Sequence, residues 1–314
     1  AGRLRPWHQA DGMFLGAACA TKWSGLYFLA GFGLLAAFWE LGAVRAAGVR
    51  RPFLDVLRRR TLPTSAYLLA VPALVYTVSW TGWFLGDAQT AYGHDKYVQP
   101  DQGPVAHAWA VFRGWLGYHA EAYRFHVGLD SSHPYKSQPW GWLLLLRPVS
   151  YFYTSPDGSC GADACAREVL GVGTPVIWWC SIPLIVALLW FWLAHRDWRA
   201  GAVLAGIAAT LLPWFATPDR TMFLFYALPA VPFFALGYAL WAHWLLGGRQ
   251  AGRERRATGT VLVATFAVLV VVNFFYLYPV LAAKVLPYGE WQQRMVFREC
   301  TAAGKNVQKA PCWI

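Results

Sequence analysis

"TGTVLVATFAVLVVVNFFYLYPVLAA", residues 258–283, contains no charged side chain. A helix needs about 20 apolar residues to cross the roughly 30 Å of hydrocarbon in a bilayer, and this run exceeds that length. Three others match it: "LPTSAYLLAVPALVYTVSWTGWFLG" (62–86), "VGTPVIWWCSIPLIVALLWFWLA" (172–194) and "TMFLFYALPAVPFFALGYALWAHWLL" (221–246). A shorter run, "AGAVLAGIAATLLPWFAT" (200–217), lies between the last two. Of the 314 residues, 57% are hydrophobic, 19 are Trp, and only 14% are charged, against about 25% in a soluble domain. The sequence predicts an all-α polytopic membrane protein with about six or seven membrane helices.

The net charge of +11 raises the question of nucleic acid, and its placement answers it. Six Arg crowd "RAAGVRRPFLDVLRRR" (45–60) and four more lie in "GGRQAGRERR" (247–256). Lys/Arg excess in short loops between spans marks the cytoplasmic side, so these residues are topology anchors and no nucleic-acid partner is expected. With those loops inside, residues 87–171 fall outside as one long segment with six Lys/Arg against eight Asp/Glu. The division expected is 1–86 as membrane helices (a kinked pair over 13–44, then the span 62–86), 87–171 as an outer loop, 172–283 as four spans, and 284–314 as an outer tail. The chain opens at "AGRLRPWH", without Met or leader, and reads as the later part of a longer protein.

"MFLGAACATKWSGLYFLAGFGLLAAFWELGAV" (13–44) is too long for one straight span and too short for two. Two helices meeting at "TKWSG" (21–25) reconcile this and place Lys22 at a break within the membrane. An intramembrane cation is a functional-site hypothesis; snorkelling to the interface is the alternative.

Four of the six Cys fall in the outer segments: Cys160 and Cys165 in "CGADAC", and Cys300 and Cys312 in the tail. Disulfides persist in oxidising compartments, so pairs 160–165 and 300–312 are expected. A zinc site from CxxxxC lacks a second close pair, and no metal is assigned. Cys19 and Cys180 sit in apolar segments as packed free thiols.

Within the outer segment, Val105, Trp109, Phe112, Trp115 and Leu116 recur at spacings of three and four, one face of a helix. Such a Trp-rich face interrupted by charge fits a helix lying along the outer leaflet; a small soluble helix packed on a loop domain is the other reading. His119, His126 and His133 are seven apart, but "GLDSSHP" should break the helix before the third, which leaves hydrogen-bonded interfacial His rather than metal ligands. "SSHPYKSQPWGWLLLLRPVSYFY" (131–153) is too interrupted to span and too apolar for an exposed loop. On an outer membrane face its Trp and Tyr are at home, Lys136 and Arg147 can meet lipid phosphate, and Tyr135 and Ser137 offer hydroxyls. It suits a headgroup-binding wall, or an ordinary interfacial anchor.

"ATKWSGLYFLA", the "SSHPYKSQPW…" stretch and "LPWFATPDRTMFLFYALPAVPFF" together, in that order, resemble the bacterial, especially actinobacterial, protein O-mannosyltransferases over essentially the whole chain. The resemblance implies the C-type glycosyltransferase membrane fold and transfer of mannose from polyprenyl-phosphate-mannose to Ser/Thr of exported proteins. It also implies a multi-pass position in the plasma membrane with an extracytoplasmic functional face and, as partners, secreted acceptors with the secretion translocon. No cofactor beyond the lipid-linked donor is implied. The family's Asp-Glu pair belongs to a first outer loop with no counterpart here, so the base goes unnamed and the chain alone is expected to be inactive. Cations that would stabilise the departing phosphate are Lys22, Arg147 and Arg220. Asp219 orients Arg220 or simply pairs with it at the surface. His133, Tyr135, Ser137 and Trp140 are carried over as contacts for sugar or acceptor. The rivals are another polyprenyl-phosphate-sugar transferase of the same class, and a transporter or flippase, which would be expected to show internal repeats that the sequence lacks.

Overall fold

The computed structural model describes residues 6–49, 53, 56, 66–86, 94–98, 103–248, 251–297 and 313. The expected Cys300–Cys312 bridge lies outside the described residues. The chain divides into two units, Ala1–Leu129 and Asp130–Ile314. Five helices are long and apolar enough to cross a membrane, and a shorter apolar one covers Tyr67–Ser79. The chain is therefore a helical, multi-pass membrane protein.

In the first unit, α1 (Pro6–Thr21) and α2 (Gly25–Ala46) are separated by a turn at Lys22–Ser24. A π-helical turn, Ala66–Ala70, leads into α3 (Val71–Ser79) and the short α4 (Thr81–Leu85). Helix α1 lies directly on this segment because its contact positions carry no side chain. A Cβ on Gly16 would come 2.8 Å from the Pro72 Cα, and one on Gly12 2.5 Å from the Tyr67 carbonyl oxygen. Small residues permit such approach where lipid offers no hydrophobic drive. After α5 (His94–Tyr97) comes α6 (Pro104–Val127), with Val111 and Gly114 buried. Its Val105, Trp109, Phe112 and Leu116 stay exposed, an apolar stripe of the kind an interfacial helix presents.

The second unit contains α7 (Pro175–Ala194), α8 (Trp198–Leu211), α9 (Val231–Leu246) and α10 (Arg253–Leu281). The turn between α7 and α8 is tight. Asp197 caps α8 by accepting the Arg199 backbone N–H at 3.0 Å, and its other oxygen takes the Arg199 guanidinium at 2.7 Å. Gly206 of α8 faces the Phe233 ring so closely that a Cβ there would lie 2.2 Å from it. Polar groups inside the bundle are paired: Tyr238 donates to the Ile177 carbonyl at 2.6 Å, and Asn273 Oδ1 accepts from the Val176 N–H at 3.2 Å. Helix α10 leaves Val261, Val268, Val272 and Phe275 exposed, a surface that a bilayer would cover.

The helical class holds, with one addition that the hydrophobic pattern did not indicate. Strands β1 (Val149–Thr154), β2 (Cys165–Gly171) and β3 (Val285–Pro287) form an antiparallel sheet in that order, with an irregularity between Ser150 and Phe152. Cys160 and Cys165 are disulfide-bonded at the β1–β2 turn, with Cα atoms 5.9 Å apart, while Cys19 and Cys180 are free thiols. Helix α11 (Tyr288–Arg294) covers one face of the sheet through the buried Trp291.

Candidate functional site

The stretch 131–148 is a folded ledge rather than a span or an exposed loop. Successive turns (Gly141 N–H to Gln138 O, Leu145 N–H to Trp142 O, Leu146 N–H to Gly141 O) carry it inward. Trp142 and Leu145 are completely buried within the core of the second unit. Leu145 has φ 56°, a left-handed conformation uncommon for a branched apolar residue, and its carbonyl accepts the Trp313 indole N–H at 2.7 Å.

This ledge is stitched to the segment that follows α8. Thr221 Oγ1 donates to the Ser131 carbonyl at 2.6 Å, and the Ser137 N–H to the Met222 carbonyl at 2.8 Å. Lys136 Nζ donates to the Asp219 carbonyl at 2.7 Å, and Gln138 Nε2 to the Pro218 carbonyl at 2.8 Å. Residues 131–138 and 217–222, which belong to the two stretches singled out in the sequence (131–153 and 212–234), thus form one cluster.

Within it the candidate residues fall into different environments. Arg220 follows a turn closed by its own N–H on the Thr217 carbonyl at 3.2 Å. Its guanidinium carbon lies 5.5 Å from the Trp214 ring centroid and 5.8 Å from that of Tyr226, within cation–π range. Its buried Nε has no hydrogen-bond partner among the described residues. Among the same residues, no ion pair joins Arg220 to Asp219, whose side chain is exposed. The surface-pair alternative therefore has no geometric basis here. His133 stands edge-on over Phe223 at 5.0 Å and accepts the Tyr135 backbone N–H on Nδ1 at 3.1 Å. With Nδ1 accepting, the hydrogen of a neutral ring sits on Nε2. Tyr135 is half-buried, and Trp140 is 61% exposed.

Two candidates are turned inward. Ser137 is buried and its Oγ accepts the Trp142 indole N–H at 3.0 Å. Arg147 is also buried, its Nε donating to the Pro134 carbonyl at 2.7 Å; burial pushes this guanidinium below the usual arginine range. Lys22 belongs to the first unit, exposed in the turn between α1 and α2. Sequence reasoning did not single out Gln138, Trp214, Phe223 or Tyr226. The signal was present, since all four lie inside the motif stretches 131–153 and 212–234. However, Gln138 and Phe223 act through contacts some 80 to 90 residues apart, and Trp214 and Tyr226 meet Arg220 only through the fold of the turn between them.

Chemically, the cluster presents a cation beside two mutually packed aromatic rings, whose centroids are 4.8 Å apart, and without a carboxylate partner among the described residues. An imidazole and an exposed indole belong to the same ledge. Such a set can take an anionic oxygen on the guanidinium and stack a sugar face on an aromatic ring.

Residues 111–300 match the family model described as the C-terminal four-TMM region of protein-O-mannosyltransferase. The chain is 38% identical over 294 residues to a polyprenol-phosphate-mannose–protein mannosyltransferase of Mycobacterium tuberculosis, covering 92% of this chain and 56% of that protein. A protein of the same name from Corynebacterium glutamicum is 35% identical over 308 residues, covering 94% and 58%. The chain spans about half the length of the curated relatives it matches. Among solved structures, the Saccharomyces cerevisiae protein O-mannosyltransferase Pmt1-Pmt2 complex bound to the sugar donor is similar with a TM-score of 0.46 and 23% identity. That match covers 62% of this chain and 26% of the yeast chain.

Proposed function

Because the chain belongs to the protein O-mannosyltransferase family, we propose that it carries the donor-phosphate side of mannose transfer from a polyprenyl phosphate to Ser/Thr hydroxyls. In this reaction the acceptor oxygen bonds to the anomeric carbon as the bond from that carbon to the phosphate oxygen breaks. Polyprenyl phosphate leaves with the electron pair, and the hydroxyl proton passes to a base that none of the residues above is assigned to be. The ledge and the 217–222 turn face the extracytoplasmic side of the plasma membrane, where exported polypeptides present their hydroxyls. The Arg-rich segments 45–60 and 247–256 face the cytoplasm.

Arg220 carries this reading: a guanidinium beside the packed Trp214 and Tyr226 rings, whose Nε has no partner among the described residues. Charge accumulates on the departing phosphate as the bond breaks, and a preorganised cation there stabilises the transition state more than the ground state. His133 and Trp140 serve as contacts for the mannosyl group or the acceptor. Ser137 and Arg147 shape the ledge from within. The test is steady-state kinetics in membranes carrying the intact protein. Arg220→Ala should lower transfer by roughly 10- to 150-fold, the equivalent of a charge-assisted hydrogen bond. Arg220→Lys should also be impaired, because Lys cannot reproduce the forked geometry, but less than Arg220→Ala, because the charge is kept. Asp219→Asn should keep normal donor saturation. Normal donor kinetics in a folded Arg220→Ala protein would remove this residue from the site.

A further inference from the structure

Thr217-Pro218-Asp219-Arg220 is a reverse turn in which Pro occupies the second position, where its fixed φ is favourable. Such a turn satisfies only its first carbonyl internally, here Thr217 by the Arg220 N–H. The next two carbonyls normally go to water. In this protein each is taken by a side chain from the ledge, Pro218 by Gln138 Nε2 at 2.8 Å and Asp219 by Lys136 Nζ at 2.7 Å. Lys136 is itself fixed by Asp130 Oδ1 at 2.7 Å, and only 16% of its side chain is exposed. The two carbonyls at the tip of the turn that delivers Arg220 are therefore held by two side chains some 80 residues earlier in the chain.

We infer that Lys136 and Gln138 are positioning residues for Arg220, fixing the turn so that its guanidinium meets the donor phosphate without reorganising. This rests on the proposed phosphate contact of Arg220. Trp214 and Tyr226, whose rings pack 4.8 Å apart, lie along one side of the guanidinium, while the turn fixes the backbone from which it projects. Misplacing a charge-stabilising group by about 1 Å is enough to cost rate. Lys136 is thus kept from the phosphate by its own commitments, although its charge invites that reading. Gln138 acts through its Nε2 donor, while its buried Oε1 has no partner among the described residues.

The experiment combines kinetics with hydrogen exchange in the intact protein. Gln138→Ala, Gln138→Glu (which removes the donor at constant size) and Lys136→Met should each lower kcat/KM for the lipid donor about five- to tenfold. The KM for a Ser/Thr peptide should stay unchanged. Exchange of the 217–222 amides should accelerate in each variant. In an Arg220→Ala background, Gln138→Ala should change donor kinetics less than twofold, because residues acting through one another are not additive. Lys136→Arg should restore most of the Lys136→Met loss. Fully additive losses alongside an impaired Arg220→Ala would overturn the positioning role alone. So would accelerated exchange with unaltered donor kinetics, which would reduce the two bonds to loop packing. Normal donor kinetics in Arg220→Ala would overturn the phosphate reading, and the positioning role with it.

Discussion

Trp291 donates its indole N–H to Oε2 of Glu168 at 2.6 Å, and the carboxyl that receives it is 1% exposed. This contact fastens α11 onto the small sheet. It places an ionisable group where charge is costly. Burial holds the Glu168 pKa above the ordinary glutamate value; the Ser150 and Trp291 hydrogen bonds pull the other way and are outweighed. A raised pKa in the folded state means that the fold binds this proton more tightly than the unfolded chain does. Its contribution to stability is then full below the ordinary value and declines as pH rises through the raised one. Glu168→Gln cannot titrate and still offers an amide oxygen to Trp291. Its apparent melting temperature relative to the parent should therefore climb between acid and neutral pH. A gap that does not vary with pH would show that the sheet does not raise the Glu168 pKa above its unfolded value.

Arg147 binds the ledge to its own beginning through the Pro134 carbonyl. Truncation removes a charged donor from a buried acceptor, a loss of about 1.5–3 kcal/mol. Arg147→Ala should thus lower the folded yield and thermal stability of detergent-purified protein, while molecules that do fold keep the parent donor KM. A raised donor KM at unchanged stability would instead return Arg147 to direct phosphate contact.

The membrane helices were legible in the sequence because lipid imposes one simple rule, uninterrupted apolarity over about 20 residues. The sheet was not. Strand β1, "VSYFYT", carries exposed aromatics on consecutive positions and shows no alternation. Strand β3 has three residues, and it meets β2 through Arg167↔Val285, a pairing no local pattern reveals. The site was legible as residue types and not as geometry. "HPYKSQPW" and "TPDRT" stood out, but only the fold joins Lys136 to the Asp219 carbonyl. Arg147 and Ser137 carry polar groups that, in sequence alone, look the same whether they face a ligand or the protein's own backbone.

The Cys160–Cys165 bridge closes the β1–β2 turn, where Gly161 adopts φ 77°, a left-handed conformation that glycine takes without strain. Closing so short a loop is worth about 2 kcal/mol in the chain-entropy model. A double Cys160→Ser, Cys165→Ser variant should lose about that much stability, with faster amide exchange confined to the sheet. In protein isolated without reductant, thiol alkylation should leave both positions unmodified until reduction. Recovery of both as free thiols would remove the bridge and, with it, one support for an outer location of residues 160–165.

In the first unit, the direction of a half-buried hydrogen-bond chain is fixed by its last acceptor. His119 Nδ1 lies 2.7 Å from the Trp115 carbonyl, which can only accept, so Nδ1 carries a hydrogen. In the neutral ring Nε2 then accepts from the Tyr76 hydroxyl at 2.6 Å, and the Tyr76 oxygen accepts the Trp23 indole N–H at 2.9 Å. One phenol therefore joins the turn after α1, helix α3 and helix α6, beside an apolar cavity of about 400 Å³. Tyr76→Phe keeps the ring and deprives both Trp23 and His119 of their partner, at a cost of about 2–4 kcal/mol. His119→Phe removes the acceptor at the other end. Because an unpaired polar group costs more than a hydrogen bond contributes, the Tyr76→Phe/His119→Phe double variant should be less destabilised than the two single losses added together. Thermal denaturation of the four proteins measures this coupling directly. Strict additivity would mean that Tyr76 and His119 contribute independently, and that the 2.6 Å contact carries no coupling between them.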